Sequence, residues 1–185
     1  MHKSSSSSQN GAALITGLIF LVVLTLISLS AIKSTSLEER MAGNARDQDV
    51  AFQAAEAGVR DAMSLFGTGL PSASGFVVGC AAGLCENDPT TPVWTTITAN
   101  NDWTSSKTRA YSGAPLTIDG STQVATQPRY IVELITGTSA PIGESASVGG
   151  GPSSPMTTSY RITARGWGLT NQTQATVQAT FTNTN

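Results

Sequence analysis

Three stretches of the chain predict an α+β fold in which a long N-terminal α-helix, a membrane half followed by an amphipathic half, packs on an antiparallel β-sheet domain. The first is AALITGLIFLVVLTLISLSAI, Ala12 to Ile32, 21 residues without a charge. As a helix it crosses about 30 Å of hydrocarbon. The second runs from Lys33 to Phe66, where charges return and apolar residues recur at steps of mostly three or four. The third is a pair of C-terminal segments in which apolar and polar residues alternate strictly, the period of strands with one buried and one wet face.

Residues 1–11, MHKSSSSSQNG, are polar and Ser-rich and have the character of a leader. Residues 12–32 form the expected transmembrane or assembly helix, because a soluble core helix of that length ordinarily keeps a polar stripe. Lys3 and Lys33 flank it almost evenly, and a leader without an acid favours a cytoplasmic N-terminus, with the rest of the chain periplasmic. Residues 33–67 continue the helix. Ten of the chain's 22 charged residues lie between Lys33 and Asp61. Leu37, Met41, Ala45, Phe52, Ala55, Val59, Met63 and Phe66 make one apolar stripe, and Glu56 with Arg60 is a correctly oriented i,i+4 pair. No Pro interrupts Ala12 to Leu70, which predicts one rod of roughly 80 Å whose weak point is Gly43-Asn44.

Gly67, Gly69 and Pro71 end the helix, and residues 68–185 form a β-rich domain in which Thr-rich runs with aromatics favour strands. The best strands are Arg129–Thr136, Ser159–Gly166 and Thr173–Thr182, the last two as a hairpin. Their buried face is expected to lie under the Phe52 to Phe66 half of the helix. Residues 138–158 are rich in Gly, Ser and Pro and are expected to be a flexible surface loop. Gly149 to Gly151 lack the strand-to-helix context and the Lys of a phosphate cradle.

Composition removes several functions. A net charge of −2 and ten scattered Lys and Arg do not build a surface for nucleic acid, so no direct nucleic-acid partner is expected. The single histidine, His2, leaves almost nothing for an imidazole base or a His-ligated metal. Charged residues are only 12%, and 22 Ser with 25 Thr keep the surface wet instead. Glu86 and Asp88 would be the acid and base of a membrane-anchored envelope enzyme, but in ENDP such a pair is far more often a solvated turn. No catalytic residue, metal or cofactor is expected, and the chain is not expected to be an enzyme.

Cys80 and Cys85, in GCAAGLCENDP, are spaced for a short disulfide loop. A metal site needs three or four ligands and a CxxC redox pair needs two intervening residues, so both fit less well. A periplasmic domain would favour the bridge. Trp94 and Trp103 are candidates either for binding hot spots or for the core.

A polar leader ending in Gly11, followed at once by an uncharged helix that continues into a β-rich domain, resembles a type IV pilin. The candidate scissile glycine precedes the apolar run, whereas a Sec signal peptide has its small residues after it; Ser28-Leu29-Ser30-Ala31 is the Sec alternative, and the 21-residue run is long for that. The stretches GAALITGLIFLVVLTLISLSAIKSTSLEERMAGNARDQDVAFQAAEAGVRD and YRITARGWG closely resemble PilX-type minor pilins, and GLCENDPTTPVW is similar to the variable region of that family. The ending QATFTNTN departs from the pattern.

The resemblance implies prepilin peptidase cleavage between Gly11 and Ala12, N-methylation of Ala12, and storage in inner-membrane lipid as a single-pass protein. It also implies a complex with other minor pilins, the major pilin and a PilC/PilY-type tip adhesin that primes pilus assembly and stays at the fibre tip on the cell surface. Typical major pilins have Glu at the fifth mature position, whereas this chain has Thr16. An unpaired ammonium in an apolar fibre core costs several kcal/mol, so Thr16 suits a terminal subunit better than a repeating one. The alternative role is a minor pseudopilin of a type II secretion system, which shares these features.

Overall fold

The computed structural model describes residues 12–67, 69, 73–135 and 157–184. The leader with Gly11 and nearly all of the 138–158 loop lie outside the described residues. Helix α1 is Ala12–Gly67, and it is followed by β1 (Leu84–Glu86), α2 (Val93–Ala99), β2 (Arg109–Ala110), β3 (Thr117–Ile118), β4 (Thr122–Gln123), β5 (Arg129–Ile135), β6 (Thr157–Trp167) and β7 (Gln174–Thr184). Short 3-10 turns form at Ala73–Gly75 and Asp102–Thr104. The chain divides into two compact units, residues 1–45 and residues 46–185.

In the first unit the described residues are helical and exposed throughout. An 18-residue window there has a mean hydropathy of 2.7, with none of it buried, so the helix is long and apolar enough to cross a membrane.

The second unit is built on a five-stranded sheet in the order β1-β5-β6-β7, with β2 also paired to β5, and a separate β3-β4 hairpin. The β6-β7 hairpin forms as expected, from Thr157↔Thr184 to Trp167↔Gln174. The sheet is mixed, because β1 runs parallel to β5 (Leu84↔Val132 to Glu86↔Leu134) while the other pairs are antiparallel.

Central strand β5 alternates between two covers. Tyr130, Val132 and Leu134 meet Val59 and Ala62 of α1 together with Tyr160, Ile162 and Ala164 of β6. Ile131 lies on the other face with Cys85, Ile97, Trp103 and Trp167. A strand buried on both sides needs two covering layers, and the second one, formed by α2, the Asp102–Thr104 turn and the cystine loop, is not apparent from the sequence.

The face that α1 turns to the sheet also differs from the expected stripe. Ala51, Ala54, Ala55, Gly58, Val59 and Ala62 are buried, whereas Phe52 and Met63 are 46% and 41% exposed. Ala55, Val59 and Phe66 are on the packed side as expected; Phe66 stacks with its centroid 4.8 Å from that of Phe181. Gly166 of β6 explains the shift. A Cβ there would stand 2.3 Å from both the Ala51 carbonyl oxygen and the Ala55 nitrogen, so strand backbone runs directly against helix backbone. Only small side chains fit beside such a seam.

Two helix carboxylates peg the ends of this contact. Asp61 accepts from the Ser112 N–H at 3.0 Å and the Ser112 hydroxyl at 2.6 Å, and Asp47 accepts the Leu169 N–H beyond the end of β6. Gly166→Ala is expected to lower stability by about 1–3 kcal/mol through overpacking. Thermal unfolding of the variant checks this; an unchanged midpoint would mean that the seam has slack.

Candidate assembly surfaces

The sequence-predicted sites fall in separate places. Thr16 lies in the first turns of α1, where its hydroxyl donates to the Ala12 carbonyl at 3.0 Å and the Ala13 carbonyl at 3.1 Å. Its polar group is thereby satisfied by its own helix, as an apolar environment requires. Around it Leu14, Ile15, Leu18 and Phe20 are all exposed, as is the apolar series through Leu29. Each such side chain is worth about 1.5–3 kcal/mol when taken out of water, so this surface calls for lipid or protein. A shallow groove there is lined by Gly17, Leu21, Leu24, Thr25 and Ser28, with nothing within 4 Å of the Cβ position of Gly17.

Cys80 and Cys85 are joined by a disulfide. Closing so short a loop contributes about 2 kcal/mol in the chain-entropy picture. The bridge is more than a surface pin, because Cys85 is fully buried with Ile131 and Trp103. Between the cysteines, Gly83 has φ +82°, and a Cβ there would come within 2.6 Å of the Arg109 Cβ, so this position needs glycine both for its backbone and for its space.

Residues 93–99 are helical, although they lie in the Thr-rich part of the chain whose composition favours strands in general. Pro92 precedes the helix with φ −54°, and Val93 and Ile97, four apart, share its inner side with Trp94. The Val93 N–H, exposed to no partner of its own helix, donates to Glu133 Oε1 at 3.1 Å. Tertiary contact outweighs the strand preference of the Thr-rich sequence.

Arginines of the sheet hold this lobe in place. Arg165 lies 4.7 Å over the Trp103 ring and donates to Thr98 Oγ1 at 3.2 Å, and Arg129 donates to Thr108 Oγ1 and to the Ser105 and Thr108 carbonyls. Trp103 is 1% exposed and belongs to the core rather than to a binding surface; Trp94 packs partly buried at its margin. Glu86 and Asp88 form no acid and base couple. Asp88 Oδ1 accepts from the Thr90 N–H, the Thr90 hydroxyl and the Thr91 N–H, an Asx turn that holds its carboxyl below the usual range, and Glu86 is exposed.

Glu133 is a residue that sequence reasoning missed. It is fully buried, its Oε2 lacks a hydrogen-bond partner, and Arg161 Nη1 stands 3.8 Å away, opposite it on β6. Burial raises its carboxyl pKa, against the opposing effects of the Val93 N–H and Arg161. A lone acid in the apolar run YIVELI is the only signal the sequence carries. Elsewhere, a groove of about 730 Å³ lies between α1 and the β3-β4 hairpin, with Ala54, Ala57 and Val124 among its apolar residues and Arg46, Asp49 and Arg60 among its charged ones.

Two family models match the chain: PilX N-terminal over residues 10–60, and type IV pilus assembly protein PilX C-term over residues 81–183. The second alone spans more than half of the sequence. The chain belongs to the PilX family of type IV pilus assembly proteins. It is thus a minor pilin, a structural assembly protein that associates with other components of the pilus machinery, and its apolar helix and cystine fit that membership. Neither a curated protein nor a solved structure matches this minor pilin.

Because the folded state raises the Glu133 pKa above the unfolded value of 4.5, the folded chain keeps that proton to higher pH than the unfolded chain does. Its stabilising effect is complete below 4.5 and is lost as pH rises through the folded pKa. Glu133→Gln retains an acceptor for Val93 and removes the charge, so it should unfold at higher urea than wild type at neutral pH and converge with it in acid. A less stable variant at neutral pH would show that the Arg161 attraction outweighs desolvation.

Proposed function

We propose that this minor pilin primes type IV pilus assembly from the inner membrane and then remains in the tip complex. The observation that carries the reading is the exposed apolar helix from Ala12 to Ile32 within a PilX-family chain. Residues 1–11 act as the leader, 12–32 as membrane span and later as assembly helix, 33–67 as its amphipathic continuation, and 68–185 as the periplasmic domain that selects partners. Prepilin peptidase cuts between Gly11 and Ala12, and the new Ala12 amine is methylated.

In the bilayer, lipid covers Leu14 to Leu29. During assembly the same side chains exchange lipid for helices of neighbouring subunits, a step that needs close packing rather than a hydrophobic driving force. Thr16 decides which subunit this one resembles. With its hydroxyl bound to Ala12 and Ala13 it brings no charge to balance a neighbour's ammonium, which supports a place at the end of the fibre beside other minor pilins, the major pilin and a PilC/PilY-type adhesin. The role is non-catalytic. The C-terminal family match supports pilus assembly over a type II secretion pseudopilin.

Mass spectrometry of the mature protein should find N-methylated Ala12 as the first residue, and deletion of the gene should sharply reduce surface pili while the major subunit stays in the membrane. A start after Ala31, or unchanged piliation, would remove the priming role. Thr16→Glu should make the subunit more acceptable within the shaft, so that its abundance in sheared pili rises relative to wild type; an unchanged ratio would mean that the fifth mature position does not restrict it.

A further inference from the structure

The two edges of the five-stranded sheet are built differently. On one side, β5 carries only the three-residue β1 and the two-residue β2, and beyond β1 the chain folds back so that Val77 bridges Cys85 and the Val77 carbonyl accepts the Glu86 and Cys80 N–H groups. That edge is short, bridged and closed by the cystine. On the other side lies β7, eleven residues in unbroken register with β6, and among the described residues no strand lies beyond it.

Proteins guard long edges with charges, prolines, bulges or a covering element. QATVQATFTNT has no charge and no Pro, and its register has no bulge. Gln48 reaches the carbonyl of its first residue, Gln174, at 3.4 Å, which leaves the length from Ala175 to Thr182. The two faces along this edge specify what would complete it. On the α1 side Val177, Ala179 and Phe181 stay only partly buried at the margin of the core. On the opposite side Thr176, Gln178, Thr180 and Thr182 are exposed, with Arg161 and Arg165 behind them on β6. Arg165 Nε extends to Thr176 Oγ1 at 3.4 Å, and the buried Glu133 is the one carboxylate that faces Arg161 among the described residues.

We propose that β7 is an acceptor edge for a β-strand of a partner polypeptide in which apolar residues alternate with Asp or Glu. Backbone hydrogen bonds would supply affinity, the apolar residues would extend the core over Val177 and Phe181, and the acids would reach across Thr176 and Thr180 toward Arg165 and Arg161, whose contacts within the domain are Trp103, Thr98 and Glu133. A second copy of β7 fits less well, since it brings apolar residues but no acid. Only the source of the partner strand, another component of the pilus machinery, rests on the assembly role proposed above.

The test uses the full chain in detergent micelles and capped peptides as long as β7, one alternating Val with Glu and one alternating Val with Lys. The Val-Glu peptide should bind saturably and slow amide exchange across residues 175–182, with the Val-Lys peptide weaker by about tenfold. Thr180→Glu, at an exposed position, should weaken Val-Glu binding by about tenfold and so abolish the preference without moving the thermal midpoint. The proposal is overturned if neither peptide slows exchange, if both bind equally, or if protection of β7 rises with protein concentration alone, which would make a second copy the occupant. Peptide binding is measured apart from N-terminal processing and piliation, so either reading can fail without the other.

Discussion

The folded domain depends on one close contact, where the backbone of β6 at Gly166 lies against the backbone of α1 between Ala51 and Ala55. That approach brings sheet and helix together more tightly than any pair of large side chains would permit. It sets which side of the helix is inward, confines that side to Ala, Gly and Val, and turns Phe52 and Met63 outward. Asp47 and Asp61 then fix position along the seam through hydrogen bonds to Leu169 and Ser112. Packing of this kind resists volume changes, because neither backbone can yield locally.

With one face of the sheet closed so tightly, the other carries most of the buried polar chemistry among the described residues. Arg129, Glu133, Arg161 and Arg165 project from β5 and β6 toward the lobe that contains α2 and Trp103. Arginine suits this place, since its planar group both stacks on Trp103 and serves several acceptors at once. Glu133 is the exception to full satisfaction. One oxygen takes the orphan N–H at the start of α2, and the other has only a distant guanidinium. Its burial costs stability but ties a helix that has no side-chain cap of its own to the sheet.

The same economy of covering elements distinguishes regions that are finished from regions that await contact. The cystine loop, β1 and β2 close one sheet edge, while β7 ends in open backbone and half-buried apolar side chains among the described residues. The helix from Ala12 to Ile32 is unfinished in another sense, since its apolar surface has no cover among the described residues. A protein whose stable form includes such surfaces fits an assembly component better than one that acts alone.

The sequence by itself determined the elements whose signal is periodic and local: the uncharged membrane-length run, the amphipathic helix, the alternating β6-β7 hairpin, and the cysteine spacing. Family resemblance was legible in the same stretches. Tertiary structure alone decided the inward face of the helix, because large apolar residues mark a stripe in sequence while a backbone seam selects small ones. It also decided that Thr-rich residues 93–99 are helical, that Trp103 is core, and that Glu133 is buried beneath them. Each of these depends on partners tens of residues away, and a contact at that separation leaves no period in the sequence from which it can be read.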